Sequence, residues 1–111
     1  MSPGLASRRK GAAGELEVVA LLHAHGWPRA HRNFASGAAG HGDIAHGPQG
    51  VVLEVKRHAG RLDLPAAVRQ AEAAAGPHDL PVVCHRRDGE QWQATLPLTE
   101  LLDLLAWREQ G

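Results

Sequence analysis

Apolar positions at three- and four-residue steps mark the first element. Leu16, Val19, Ala20, Leu21 and Leu22 recur with that period between residues 10 and 25, the spacing that lines one face of an α-helix. Gly26 interrupts the pattern and offers a C-terminal cap. Residues 27–34 mix an aromatic, a proline and alternating side chains and predict a short strand. Residues 35–42, with Gly37, Gly40 and Gly42, predict a flexible loop.

The period then changes. Residues 43–46 predict a short strand, 47–50 a turn, and the β-branched run over 51–56 a strong strand, so that the three make a hairpin. Asp63 offers an N-cap, Pro65 fits a first helical turn, and an alanine-rich second helix over 66–75 ends at Gly76-Pro77. Residues 80–85 and 91–96 predict two more strands around an Asp88-Gly89 turn. Thr99 can cap a last helix over 100–109, where Leu101, Leu102, Leu104, Leu105 and Trp107 are apolar. This order predicts an α/β fold, a mixed five-stranded sheet flanked by helices. The length of 111 residues fits one domain over 10–111, preceded by a flexible basic arm over 1–9.

Composition changes the picture in two respects. The chain has zero formal net charge, but the charge is uneven: residues 1–70 hold nine Lys and Arg against five acids, and residues 71–111 hold three against seven. A basic face on the first part can meet phosphate while the second part keeps the chain soluble. Cys84 is the single cysteine, which excludes an intrachain disulfide or a multi-cysteine zinc site, and its strand setting predicts a packing role. No apolar run is long enough for a membrane helix and no secretory leader follows the basic start, so a cytoplasmic protein without a membrane partner is expected. The eight histidines form no ligand spacing: His23 and His25 point in different directions from a helix, and His41 and His46 flank the short strand in turns.

The chemistry concentrates in the predicted hairpin. Alternation along a strand puts Glu54 and Lys56 on one face, with α-carbons about 6.6–7 Å apart, and turns Leu53 and Val55 towards the core. Asp43 opens the neighbouring strand, so its carboxylate can lie beside that of Glu54. Two adjacent carboxylates repel unless a cation lies between them, and hard oxygen donors suit Mg²⁺ or Mn²⁺. Lys56 beside such a site can orient or deprotonate a water, or neutralise charge on a phosphate.

These motifs, together with their surroundings, resemble the archaeal-type Holliday junction resolvases of the PD-(D/E)XK nuclease superfamily. The segment from Arg9-Lys10-Gly11 through Glu15-Leu16-Glu17 to Gly26-Trp27 is similar to that family's first helix. Arg32 with Ala35-Ser36-Gly37 resembles its Arg-x-x-x-Ser loop, and Asp43-Ile44 with Leu53-Glu54-Val55-Lys56 resembles its two catalytic strands. Leu16 stands where the family has Arg, and Gly42 where it often has Pro. The likeness covers residues 9–57; beyond them only the order of elements agrees.

The resemblance implies a restriction-endonuclease-like fold and a structure-selective DNA endonuclease. In that frame Asp43 and Glu54 are the main metal ligands, Glu15 completes the site and Lys56 activates water. Ser36 contributes from a mobile loop, and Arg9, Lys10, Arg32 and Arg57 meet DNA. Gln70 on the second helix is a further candidate to face the site. A four-way junction is two-fold symmetric, so paired cuts require paired sites and a homodimer is expected. Another nuclease of the superfamily, cutting flaps, nicks or specific sites, is the near alternative. A non-catalytic DNA-binding module on the same fold is the more distant one.

Overall fold

The computed structural model describes residues 3–34 and 42–111, with the side chains of the first helix from Lys10 onward. Helix α1 spans Pro3–Ala24, β1 His31–Arg32, β2 Ile44–Ala45, β3 Val51–His58, α2 Leu64–Ala74, β4 Leu80–Arg87, β5 Gln93–Thr95 and α3 Leu98–Gln110. The first helix therefore starts seven residues before the apolar period does. Pro3 suits a first helical turn, and the alanine and arginines that follow are good helix formers, so the backbone expected as a loose arm continues the helix. Its far end closes as the sequence predicts. Gly26 takes φ +106, its N–H donates to the His23 carbonyl, and the Trp27 N–H reaches back to the Leu22 carbonyl at 2.9 Å, which is a Schellman cap.

The fold is α/β, but the expected single five-stranded sheet is divided. β1 and β2 form an antiparallel pair, and a separate sheet has the order β3-β4-β5, parallel between β3 and β4 and antiparallel between β4 and β5. The hairpin predicted from residues 43–56 is not a ladder either. β2 touches β3 through the Asp43 N–H, which donates to the Leu53 carbonyl at 2.9 Å. One register step further, the Val55 N–H donates to the Asp43 carboxylate at 2.7 Å rather than to a backbone carbonyl. A side chain thus takes the place of the next rung, and the two sheets part there.

Helices cover the larger sheet from both sides. Leu53, Val55 and Val82 face α1, where they pack with Val18, Val19, Ala30 and Ile44. On the other side Val83 packs with Ala67 and Ala71 of α2. Asp63 caps α2 as predicted, its carboxylate accepting from the Ala66 N–H at 3.1 Å. The last helix does not start as predicted: its N-cap is Pro97, with no side-chain cap, and Thr99 lies inside the helix. No helix among the described residues is long and apolar enough to cross a membrane.

Candidate active site

Two glycines bring the site together. Gly42 adopts φ +73, and a Cβ there would lie 2.7 Å from the Leu53 carbonyl oxygen and 2.9 Å from a Val52 methyl. Only glycine combines that backbone with so close an approach, and proline is excluded because its ring fixes a negative φ. Asp43 follows immediately and is held against β3. On α1, a Cβ at Gly14 would sit 3.0 Å from the Arg57 Cβ. The helix therefore lies close on β3 and delivers Glu15 to the same place.

The result is an open cleft of about 650 Å³ whose walls include Lys10, Glu15, Asp43, Glu54, Lys56, Arg57, His58 and Gln70. Glu54 is buried, with 8% of its surface exposed, and is the only charged residue so deep among those described. Burial above all, and then the neighbouring Asp43 carboxylate, with which it shares a hydrogen bond, push its carboxyl up from 4.5 to about 7, with Lys56 pulling the other way. An acid sitting that high beside a second carboxylate is a site that attracts a cation.

The remaining candidates take more specific places. Arg32 donates from Nε to Glu15 at 2.7 Å and lies over the Phe34 ring at 5.1 Å, so it holds a carboxylate of the cleft. Lys10 and Arg57 both pair with Asp88, at 2.5 and 3.1 Å, and these cations hold the Asp88 carboxyl below its usual range. Arg57 also pairs with Glu17 at 2.7 Å. The side chain of Arg9 and all of Ser36 lie outside the described residues.

Two residues that sequence reasoning passed over also emerge. Glu17 accepts from Arg57, Arg86 and the Trp92 indole N–H, tying α1 to β3 and β4; nothing in the local sequence pairs residues so far apart. His58 was within reach of the alternation rule. β3 runs two residues past Lys56, so Glu54, Lys56 and His58 share a face, and His58 is fixed through Nδ1 to the Gly60 carbonyl at 2.6 Å.

The donor set is all oxygen, from Asp43 and Glu54 with Glu15 nearby, which fits a hard divalent cation better than zinc. Among the described residues no group of three His, Cys, Asp or Glu side chains is already arranged around a metal position, and Glu15 is turned to Arg32. No family model matches the chain, and comparison with curated proteins and with solved structures gives no match.

Proposed function

We propose that the chain is a divalent-metal-dependent DNA endonuclease of the PD-(D/E)XK type that acts on four-way junctions. The observation that carries this reading is the pairing of Asp43 with a buried Glu54 at the mouth of a cleft that also holds Lys56. Asp43 and Glu54 would hold Mg²⁺ or Mn²⁺, with Glu15 completing the set once Arg32 turns to a phosphate. Such a cation supplies charge stabilisation on a phosphoryl group and lowers the pKa of a bound water. Lys56, on the same strand face, supplies a positive charge beside the scissile phosphate and a donor that orients the attacking water. Lys10 and Arg57 sit on the rim, where their charge reaches a phosphate backbone over a distance set by screening. The junction as substrate rests on the sequence resemblance and on the symmetry argument for a homodimer; the cleft itself supports phosphodiester hydrolysis.

The decisive test is cleavage of end-labelled four-way, flap, nicked and linear DNA by the purified chain in Mg²⁺, with Asp43→Asn and Glu54→Gln as controls. Cutting of the four-way substrate first, abolished in both variants with binding retained in Ca²⁺, supports the reading. A preference for flaps or nicks moves it to the neighbouring nuclease class. Junction binding without cleavage in either metal favours a DNA-binding module.

A further inference from the structure

Charge is divided unevenly between the two faces of the larger sheet. Its three strands carry Lys56, Arg57, His58, His85, Arg86 and Arg87 against a single acid, Glu54. On the α1 side the cations are matched: Arg57 and Arg86 both reach Glu17, and Arg57 shares Asp88 with Lys10. The α2 side carries the rest. The parallel register sets Lys56 beside His85 and His58 beside Arg87, and residues in register on neighbouring strands point to the same face.

These side chains meet neutral oxygens rather than carboxylates. His58 is held through Nδ1 to the Gly60 carbonyl, His85 contacts the Thr95 hydroxyl, and Arg87 donates from Nε to the Ala59 carbonyl at 3.3 Å. The acids at α2 do not answer them. Asp63 caps Ala66, and Glu72 lines a pocket beside Pro81 and Val83, at the opposite end of β4 from Arg87. Among the described residues this face therefore holds adjacent cations with only Glu54 to offset them, and Glu54 stands at the far end of the row beside Asp43. Burial first, and then His58, hold the His85 imidazole below its usual range, so positive charge on this face acts across the two strands. Like charges so placed repel, and an anion bound between them removes the repulsion.

Distance decides which anion. At about 3.3 Å per strand residue, Glu54 and His58 stand about 13 Å apart, whereas a cation such as Mg²⁺ holds its oxygen ligands at about 2.0–2.1 Å. His58 is therefore too far away to share a phosphate with a cation on Asp43 and Glu54. Both ends of the row line one cleft of about 650 Å³, the size of a site for a whole small molecule rather than for a single phosphate. With Nδ1 committed to Gly60, Nε2 is the ring atom His58 presents to a ligand. We propose that His58 and Arg87 form a second anion subsite, which takes the phosphodiester next to the one facing Asp43 and Glu54 and so fixes the register of the strand over Lys56. Nε2 of the protonated ring and the Arg87 guanidinium donate to it. The subsite rests on the nuclease reading for the identity of its ligand, and His58 is a positioning residue in it.

The test measures binding apart from cutting. The full chain is titrated in Ca²⁺ with a labelled four-way junction, and single-turnover cleavage is followed in Mg²⁺. His58→Ala and Arg87→Ala should each weaken binding about tenfold, and Arg87→Ala should lower the slope of affinity against salt by about 0.9. His58→Arg should restore the affinity. A single uncharged methylphosphonate is then placed in turn at each phosphate near the branch point. At one position it should weaken wild type about tenfold and His58→Ala little further, and that position should adjoin the cut. Unchanged binding in both alanine variants, no rescue by His58→Arg, losses that add at every position, or coupling at the cleaved phosphate itself each overturn the subsite. If wild type still cuts junctions in those cases, the nuclease reading survives without it. A wild type that shows the single coupled position and never cuts keeps the subsite and loses the nuclease, and one that binds no DNA loses both.

Discussion

Glu54 should make the folded chain less stable as the pH rises, and Glu54→Gln should remove that loss. The folded-state carboxyl is raised to about 7 by burial first and by Asp43 second, from an ordinary 4.5. Below pH 4.5 both folded and unfolded chains hold the proton and nothing is lost. Between 4.5 and 7 the folded chain binds a proton that the unfolded chain releases, so stability falls as pH rises, and above 7 the penalty is complete. At about 1.4 kcal/mol for each tenfold change in proton affinity, the upper bound is roughly 3.4 kcal/mol. The residue is 8% exposed, but its carboxylate borders an open cleft, and solvent screening reduces the figure to about 1–3 kcal/mol.

Urea unfolding of both proteins in EDTA, from about pH 4 to about pH 8.5, measures the difference directly and cancels the other carboxylates. The glutamine variant should gain on wild type through that window and hold a constant advantage above it. Mg²⁺ or Mn²⁺ at the alkaline end should then stabilise wild type more than the variant, because a cation between Asp43 and Glu54 replaces the missing proton. A difference that does not change between pH 5 and 8 would refute the account of Glu54. A metal response equal in both proteins would refute the site as the place of binding.

Arg32→Gln should push the Glu54 transition to still higher pH, since it frees the Glu15 charge that already raises Glu54; an unmoved transition in the same unfolding series would show that the ion pair does not reach the site. Gly42→Ala should cost about 2–4 kcal/mol, from left-handed strain plus overlap with the Leu53 carbonyl. Gly50→Ala, at φ +75 with open space around it, should cost only about 1–2 kcal/mol, and equal losses in thermal melts would contradict the close approach at Gly42. Asp63→Ala should lose about 1 kcal/mol with its cap, whereas Thr99→Ala should change stability by less than about 0.5 kcal/mol; a larger loss at Thr99 would restore it as the cap of α3.

Much of this was legible because local rules decide it. Gly26 ends α1, Asp63 starts α2, and Leu53 and Val55 face the core while Glu54 and Lys56 do not, each through chemistry within a few residues. What was illegible depends on distance or on competition. Asp43 could be seen as a neighbour of Glu54, but not that its carboxylate would take the Val55 N–H and end the ladder. Pro97 and Thr99 compete to start α3, and composition favours Thr99. The chain enters the helix from Pro97 directly after Leu96, which is already packed against the core. Glu17 draws partners from Arg57, Arg86 and Trp92, and their meeting exists only once β3 and β4 lie in register. Ser36 lies outside the described residues, so its place in the site rests on the sequence resemblance.

The division of the sheet and the formation of the cleft have one cause. Had β2 continued along β3, the Val55 N–H would be spent on a backbone carbonyl and a neighbouring strand would cover the edge beside Glu54. Gly42 instead swings the chain in at a φ open to few residues, and Asp43 satisfies Val55 with a carboxylate oxygen. Among the described residues that leaves the edge of β3 beyond residue 54 without a paired strand, with Lys56 and His58 along β3 and α1 close overhead through Gly14. The same rung holds the Asp43 carboxylate beside Glu54, whose buried carboxyl then has a like charge for a neighbour. A chain selected for stability alone would gain by continuing the ladder and replacing Glu54 with an apolar residue like Val52 and Val55 beside it. The acid at that position is therefore best explained by something that binds there, and a cation is the ligand that turns its cost into affinity.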